Sequence, residues 1–382
     1  MKLLFLFFFW SLWYINFSSR TILSPILPLI EDALSIDHGL AGSLFSFMSV
    51  GYTASLLLSS VLSSRIGYKR SIAVGLTVLS LSLFGVHYAP GYQSLAIISF
   101  LIGLGAGVYL PCAIPLLTDT FDRNNWGKVI AFHDTAASLS ILSVPLFVAF
   151  ALQFLQWRSL FSVLGTAALL GLICLLFLAP DVKSAERKST GLLFIIRRRD
   201  FWIMSTLWIF ASACTIGIYN IIPLFLVKGN QIPLKTANTI LGLSRIGGFF
   251  VAMLAGFLAD RFGVKKVLFL VLLITGLSTA ALALAPPLTP LITILIIQAT
   301  ISTSFFPVAL LAISRMTDSN ELSAFMGATA AIGAVFGSGL TPAALGAMAD
   351  AWNFNVGFLI LGLLTSLSCL LLKGISSSGV SA

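Results

Sequence analysis

Gly256-Phe257-Leu258-Ala259-Asp260-Arg261-Phe262-Gly263-Val264-Lys265-Lys266 interrupts a chain that is otherwise apolar over long distances. An acid and an arginine are followed by a glycine and two lysines, with an apolar run on either side. A related stretch, Ser64-Arg65-Ile66-Gly67-Tyr68-Lys69-Arg70, stands half a chain earlier, 196 residues from Arg65 to Arg261. In both, the glycine allows a tight turn between two apolar segments. The repetition divides the chain into two comparable halves.

A helix needs about 20 apolar residues to cross about 30 Å of hydrocarbon, and its backbone must satisfy its own hydrogen bonds there. Working outward from the two loops, twelve such runs are found, at 3–30, 39–63, 70–88, 93–117, 128–151, 158–178, 201–227, 236–259, 266–284, 289–313, 322–347 and 353–372. Nothing alternates in the short stretches of about 10 residues that a transmembrane β-barrel requires. The composition agrees: 58% of the 382 residues are apolar and only 9% charged, against roughly 25% charged in a soluble domain. Mean hydropathy is +1.04. The fold expected is therefore an all-α membrane protein with twelve transmembrane helices in two six-helix bundles. Lys2 and the run from Leu3 to Phe17 start like a signal peptide, but no small-residue cleavage site follows and Arg20 to Ile30 continues the run, so it reads as a retained span.

The domain boundaries expected are 1–180 for the first bundle, 181–200 for a polar cytoplasmic linker, and 201–382 for the second bundle. The linker holds Lys183, Glu186, Arg187, Lys188 and the run Arg197-Arg198-Arg199, charges suited to solvent and to anionic headgroups. Of 22 Lys and Arg, 17 fall on one side of the spans and three on the other, which puts both termini in the cytosol. The net charge of +9 is mostly this topological bias. Its dispersal over short loops speaks against a nucleic-acid partner. Two cations remain, Arg20 and Arg245, and both lie within spans.

An arginine near the bilayer centre costs at least about 2.5–3.5 kcal/mol, so one facing a bundle interior marks function. Arg20 precedes Glu31, at the outer end of its span, by 11 residues, and Arg245 follows Thr236, at the outer end of its own, by 9. At 1.5 Å per residue the depths are about 16 and about 14 Å, near the midplane in both halves. Two guanidinium groups without an acid at the same depth call for an anion, since arginine binds carboxylate or phosphate in bidentate fashion; the alternative is that each pairs with backbone carbonyls or snorkels outward. Tyr52, Tyr109, Tyr219, Asn220 and Gln298 are neutral polar residues within spans that can complete a substrate cavity, each also suited to bonds between helices. His133 and Asp134 form an adjacent imidazole and carboxylate one turn into the fifth span, a pair able to exchange protons near neutral pH or to serve as a helix-end device. Asp119, at the end of the fourth span, reads as a loop partner of Arg123 or Lys128.

Gly256-x-Leu258-Ala259-Asp260-Arg261-x-Gly263-x-Lys265-Lys266 resembles the signature loop of the major facilitator superfamily, and with twelve spans in two halves the resemblance covers the whole chain. It implies two bundles that alternate access to a central site, with Arg65, Gly67, Asp260, Arg261 and Gly263 in loops that gate the cytoplasmic side. Ser64 replaces the acid of the first copy, which implies a weaker latch there. Asn16-Phe17-Ser18-Ser19-Arg20 resembles the Asn-Tyr/Phe-x-x-Arg segment of organic-anion symporters in that superfamily, and Arg245 falls in the span where monocarboxylate-type carriers place a substrate arginine. The fifth span reads His133-Asp134-Thr135-Ala136-Ala137-Ser138 where many drug/proton antiporters carry Gly-Pro-Gly-Gly.

Cys112, Cys174, Cys214 and Cys369 occupy four different spans without metal or disulfide spacing, and no nucleotide-binding loop occurs, so neither metal nor cofactor is expected. With no polar catalytic domain, the chain is not expected to be an enzyme. The function expected is secondary active transport of a small organic anion, a carboxylate by the bidentate chemistry, coupled to protons. The alternative is a proton-driven exporter of drugs or amphipathic metabolites. The expected setting is a bacterial inner membrane, with the protein acting as a monomer whose partners are the substrate, protons and the lipid bilayer.

Overall fold

The computed structural model describes residues 2–180, 192–284 and 287–375. The first eleven residues of the expected linker, 181–191, therefore lie outside the described residues. Among those described, twelve helical rods follow one another and no strand occurs. Ten are long and apolar enough to cross a membrane, the fourth and the tenth with short interruptions at Val108 and at Thr303–Ser304.

The other two are the first and the eighth, and both are interrupted beside an arginine. The first runs Lys2–Thr21, breaks at Ile22 and resumes as Leu23–Leu34. The cause is local: Pro25 has no amide proton for the Thr21 carbonyl, and Pro28 repeats the defect one turn on. The eighth runs Leu234–Leu243 and resumes as Ile246–Phe262, with the break at Ser244 and Arg245. Each intramembrane arginine thus sits within two residues of a discontinuity in its helix.

Two compact units are present. One takes in residues up to Ile36, continues from Ser43 through the sixth rod, and includes Ile232–Gly242. Its first helix packs along the fifth (Trp126–Ala151), and its third (Tyr68–Gly85) along the fourth and sixth (Tyr92–Gly107 and Trp157–Leu178). The other contains Asp37–Gly42 and most of the chain after the linker. There Val264–Leu282 packs along Leu288–Ser302 and Phe354–Ser368, and Arg199–Ser212 along the eleventh rod. The pairings third with fourth, third with sixth and first with fifth recur six helices later. The repeat seen in the two loops is therefore a repeat of helix packing.

Glycine sets the closest approaches. A Cβ on Gly103 would meet the Met48 carbonyl, and the Tyr52 amide nitrogen at 2.8 Å, so the second and fourth helices touch backbone to backbone there. Neither backbone atom can yield as a side chain would. Gly103→Val is expected to cost more than the usual 1–3 kcal/mol of overpacking and to leave little monodisperse protein in detergent chromatography. Gly127→Ala, which meets nothing within 4 Å, serves as the neutral control.

The seventh and eleventh rods contain wide turns with i→i+5 bonding, at Ala213–Gly217, Phe225–Gly229 and Gly333–Gly339. The first and last pack on each other. A Cβ on Gly337 would stand 2.6 Å from the Ile209 carbonyl, which explains why the eleventh rod is glycine-rich here.

Candidate functional site

The two signature loops have the same backbone. Gly67 has φ 85° and Gly263 φ 90°, the only two glycines in that region among the described residues, and each immediately precedes a helix. A side chain is strained in this conformation whatever space surrounds it. Arg315 Nη2 donates to Asp260 Oδ1 at 3.2 Å. The first copy cannot make this pair through Ser64, whose hydroxyl instead donates to the Val61 carbonyl at 2.9 Å. Arg65 is exposed, and Arg261 lies 5.5 Å from the Phe262 ring centre.

Arg20 lies in an aromatic corner. Its Cζ stands 4.4 Å from the centre of the Phe17 ring, 4.5 Å from Tyr52 and 5.7 Å from Trp13. These rings offer their negative faces to the cation, yet they accept none of its hydrogen bonds in the guanidinium plane. Nε is buried and has no hydrogen-bond partner. That nitrogen is left for an acceptor from elsewhere.

Arg245 is more deeply placed, at 6% exposure. Its Cζ is 5.1 Å from the Tyr219 ring centre, and Nη1 donates to the Thr215 carbonyl, within the wide turn Ala213–Gly217, at 3.4 Å. Nε and Nη2 are buried without partners. Arg198 pairs with Glu321 and Arg315 with Asp260, and neither of these pairs involves an intramembrane arginine. A buried cation with unsatisfied donors costs several kcal/mol, and an anion seated on them removes that cost.

Of the neutral residues expected beside the arginines, Tyr52 and Tyr219 lie against them. Asn220 donates to the Ser338 carbonyl at 3.4 Å. Gln298 uses Nε2 on the Cys214 carbonyl at 2.7 Å and on Thr279 Oγ1 at 3.3 Å, while Oε1 remains buried and unpartnered. Tyr109 lies against His133.

The hydrogen bonds around His133 assign its tautomer. Tyr109 Oη donates to the Phe9 carbonyl at 2.6 Å and lies 3.1 Å from His133 Nε2. A carbonyl only accepts, and the hydroxyl has one proton, so Nε2–H must donate to Tyr109. Nδ1 then carries the lone pair, and it is buried without a partner. Asp134 is exposed, and its Oδ1 accepts from Trp13 Nε1 at 3.4 Å.

Trp13 is the residue that the sequence did not single out. Its ring stacks on Tyr109 at 5.5 Å and on His133 at 5.9 Å, its N–H reaches Asp134, and its face lies under Arg20. In a run of aromatic residues from Phe5 to Phe17 nothing marks it out, and only its packing shows that it touches both groups.

The chain matches the Major Facilitator Superfamily profile over residues 9–253 and 221–378. It is 26% identical over 264 residues to the hexuronate transporter of Bacillus subtilis, covering 64% of this chain and 61% of that one. With the 3-(3-hydroxy-phenyl)propionate transporter of Escherichia coli it is 25% identical over 267 residues, covering 67% and 64%. The chain spans 45–63% of the length of the first three curated relatives it matches. A solved D-xylose-proton symporter superposes with a TM-score of 0.82 over 98% of both chains at 17% identity, a likeness of fold. Twelve helices, paired signature loops and a profile match along nearly the whole length agree: this integral membrane protein belongs to the major facilitator superfamily.

Proposed function

We propose that the protein is a secondary active transporter of a small organic anion, a carboxylate, driven by protons. The observation that carries the reading is Arg245, a buried guanidinium with two donor nitrogens unsatisfied and no acid beside it. Arg20 supplies a second intramembrane guanidinium, with one buried nitrogen unsatisfied and its faces held by aromatic rings. Each presents N–H donors of the geometry that suits a carboxylate. His133 Nδ1 and Asp134 supply sites for the coupled proton, and Trp13 touches both these residues and Arg20. The loops at Gly67 and Gly263, with the Asp260 and Arg315 pair, gate access. Relatives named for hexuronate and for 3-(3-hydroxy-phenyl)propionate support an organic acid as substrate. The basic bias of one side supports cytosolic termini, and bacterial relatives favour an inner membrane.

A ligand that binds only the folded state stabilises it by RT ln(1 + [L]/Kd), so a thermal-shift screen reads this directly. At a concentration of 100 Kd the gain is about 2.7 kcal/mol. Hexuronates, aromatic propionates and short monocarboxylates are to be compared with their amides and with neutral sugars. At least one acid is expected to raise the melting temperature where its amide does not. Equal shifts from acid and amide, or shifts from neutral sugars alone, would remove the anion from the account.

A further inference from the structure

We propose that the end of the second unit bearing Lys265, Lys266 and Lys373 holds a binding site for an anionic diacyl phospholipid. A cavity of about 520 Å³ lies between the start of Val264–Leu282 and the end of the twelfth rod. The three lysines line it together with Phe269, Leu270 and Leu372. Its ends differ chemically: ammonium groups gather where the ninth helix begins, and apolar side chains continue along the helix.

Lys265 Nζ donates to the Ile375 carbonyl at 2.6 Å, which fixes one edge of the cavity. Lys266 and Lys373 are exposed. None of the three pairs with a carboxylate in the ion pairs of the described residues. Three like charges around one cavity repel one another, and a phosphodiester among them would replace that repulsion with attraction. Free phosphate would satisfy the charges but leave the apolar floor to water. A lipid satisfies both, its headgroup on the lysines and its acyl chains along Phe269, Leu270 and Leu372. Basic pockets between transmembrane helices at the charged end of a bundle bind such headgroups in this way.

The test uses the full chain purified in a neutral detergent. Phosphatidylglycerol and phosphatidylcholine of the same acyl composition are titrated while the melting temperature is followed, with inorganic phosphate as a third arm. Phosphatidylglycerol is expected to reach half its effect at a concentration at least fivefold lower than phosphatidylcholine, and phosphate at that concentration to give no shift. Lys266→Gln with Lys373→Gln should abolish the preference, while Lys266→Arg with Lys373→Arg keeps it. Both side chains are exposed, and the lipid-free melting temperatures of the variants check that the fold is intact. A preference retained by the glutamine pair, equal affinity for the two lipids, or a full effect from phosphate alone would overturn the proposal. So would a chain stopped after Ile375 that binds phosphatidylglycerol tenfold more tightly, since the tail would then be the natural occupant.

Discussion

Arg245→Gln is expected to lose at least 100-fold in affinity for the transported acid and, at the same time, to melt at a higher temperature than the native protein when no substrate is present. The two effects share one cause. Nε and Nη2 of Arg245 are buried without partners, so the empty protein bears the cost of a desolvated cation. At the centre of a span that cost is at least about 2.5–3.5 kcal/mol, of which a neutral amide recovers a part. The bound acid, in turn, loses charge-assisted bonds worth about 1.5–3 kcal/mol each, and two of them account for about 100-fold or more. Arg245→Lys should not restore binding, because a point ammonium cannot present two parallel donors. Isothermal titration and thermal melting on the same samples check both signs. If the Gln variant melts lower and binds normally, Arg245 is a structural residue.

His133→Gln should abolish uphill uptake driven by a proton gradient while leaving exchange of external for internal substrate near the native rate. Exchange needs the anion site but no net proton movement. The imidazole is 0% exposed, its Nε2–H is committed to Tyr109, and Nδ1 is the free position. Glutamine can donate the same bond to Tyr109 but cannot take up a proton. The ionisable groups around His133 are Tyr109 from the fourth helix, Asp134 beside it in sequence, and Arg20 across the Trp13 ring. Proteoliposomes assayed with and without an imposed pH difference, and then in counterflow, separate the two activities. Loss of both would mean that His133 holds the anion site together, and loss of neither would remove it from coupling.

The architecture was legible because hydrocarbon is an unforgiving solvent. Runs of apolar residues with loops at Arg65 and Arg261 place the helices to within a few residues, and the matching glycines at 67 and 263 share a positive φ. The breaks at Ile22 and at Ser244–Arg245 were harder to see. Two prolines foretell the first, while nothing in Leu243-Ser244-Arg245-Ile246 announces the second. The wide turns at Ala213–Gly217 and Phe225–Gly229 leave no compositional trace, since adding one residue to a turn changes bonding and not hydropathy.

For the candidate site, charges are easier to read in the sequence than geometry. Arg20 and Arg245 stand out because so few charges occur in spans. Tyr109 reads as a cavity wall, and only the structure shows its hydroxyl between Phe9 and His133. Trp13 was hidden among neighbouring aromatics for the same reason: stacking is a property of three dimensions.

The most direct test of the central claim is uptake into proteoliposomes. The acid that stabilises the purified protein most is supplied outside, with the lumen alkaline or at equal pH. The account predicts saturable accumulation that requires the proton gradient, collapses with a protonophore, and is absent in Arg245→Gln. Accumulation that is indifferent to both the gradient and Arg245, or the same accumulation of the neutral amide, would contradict it.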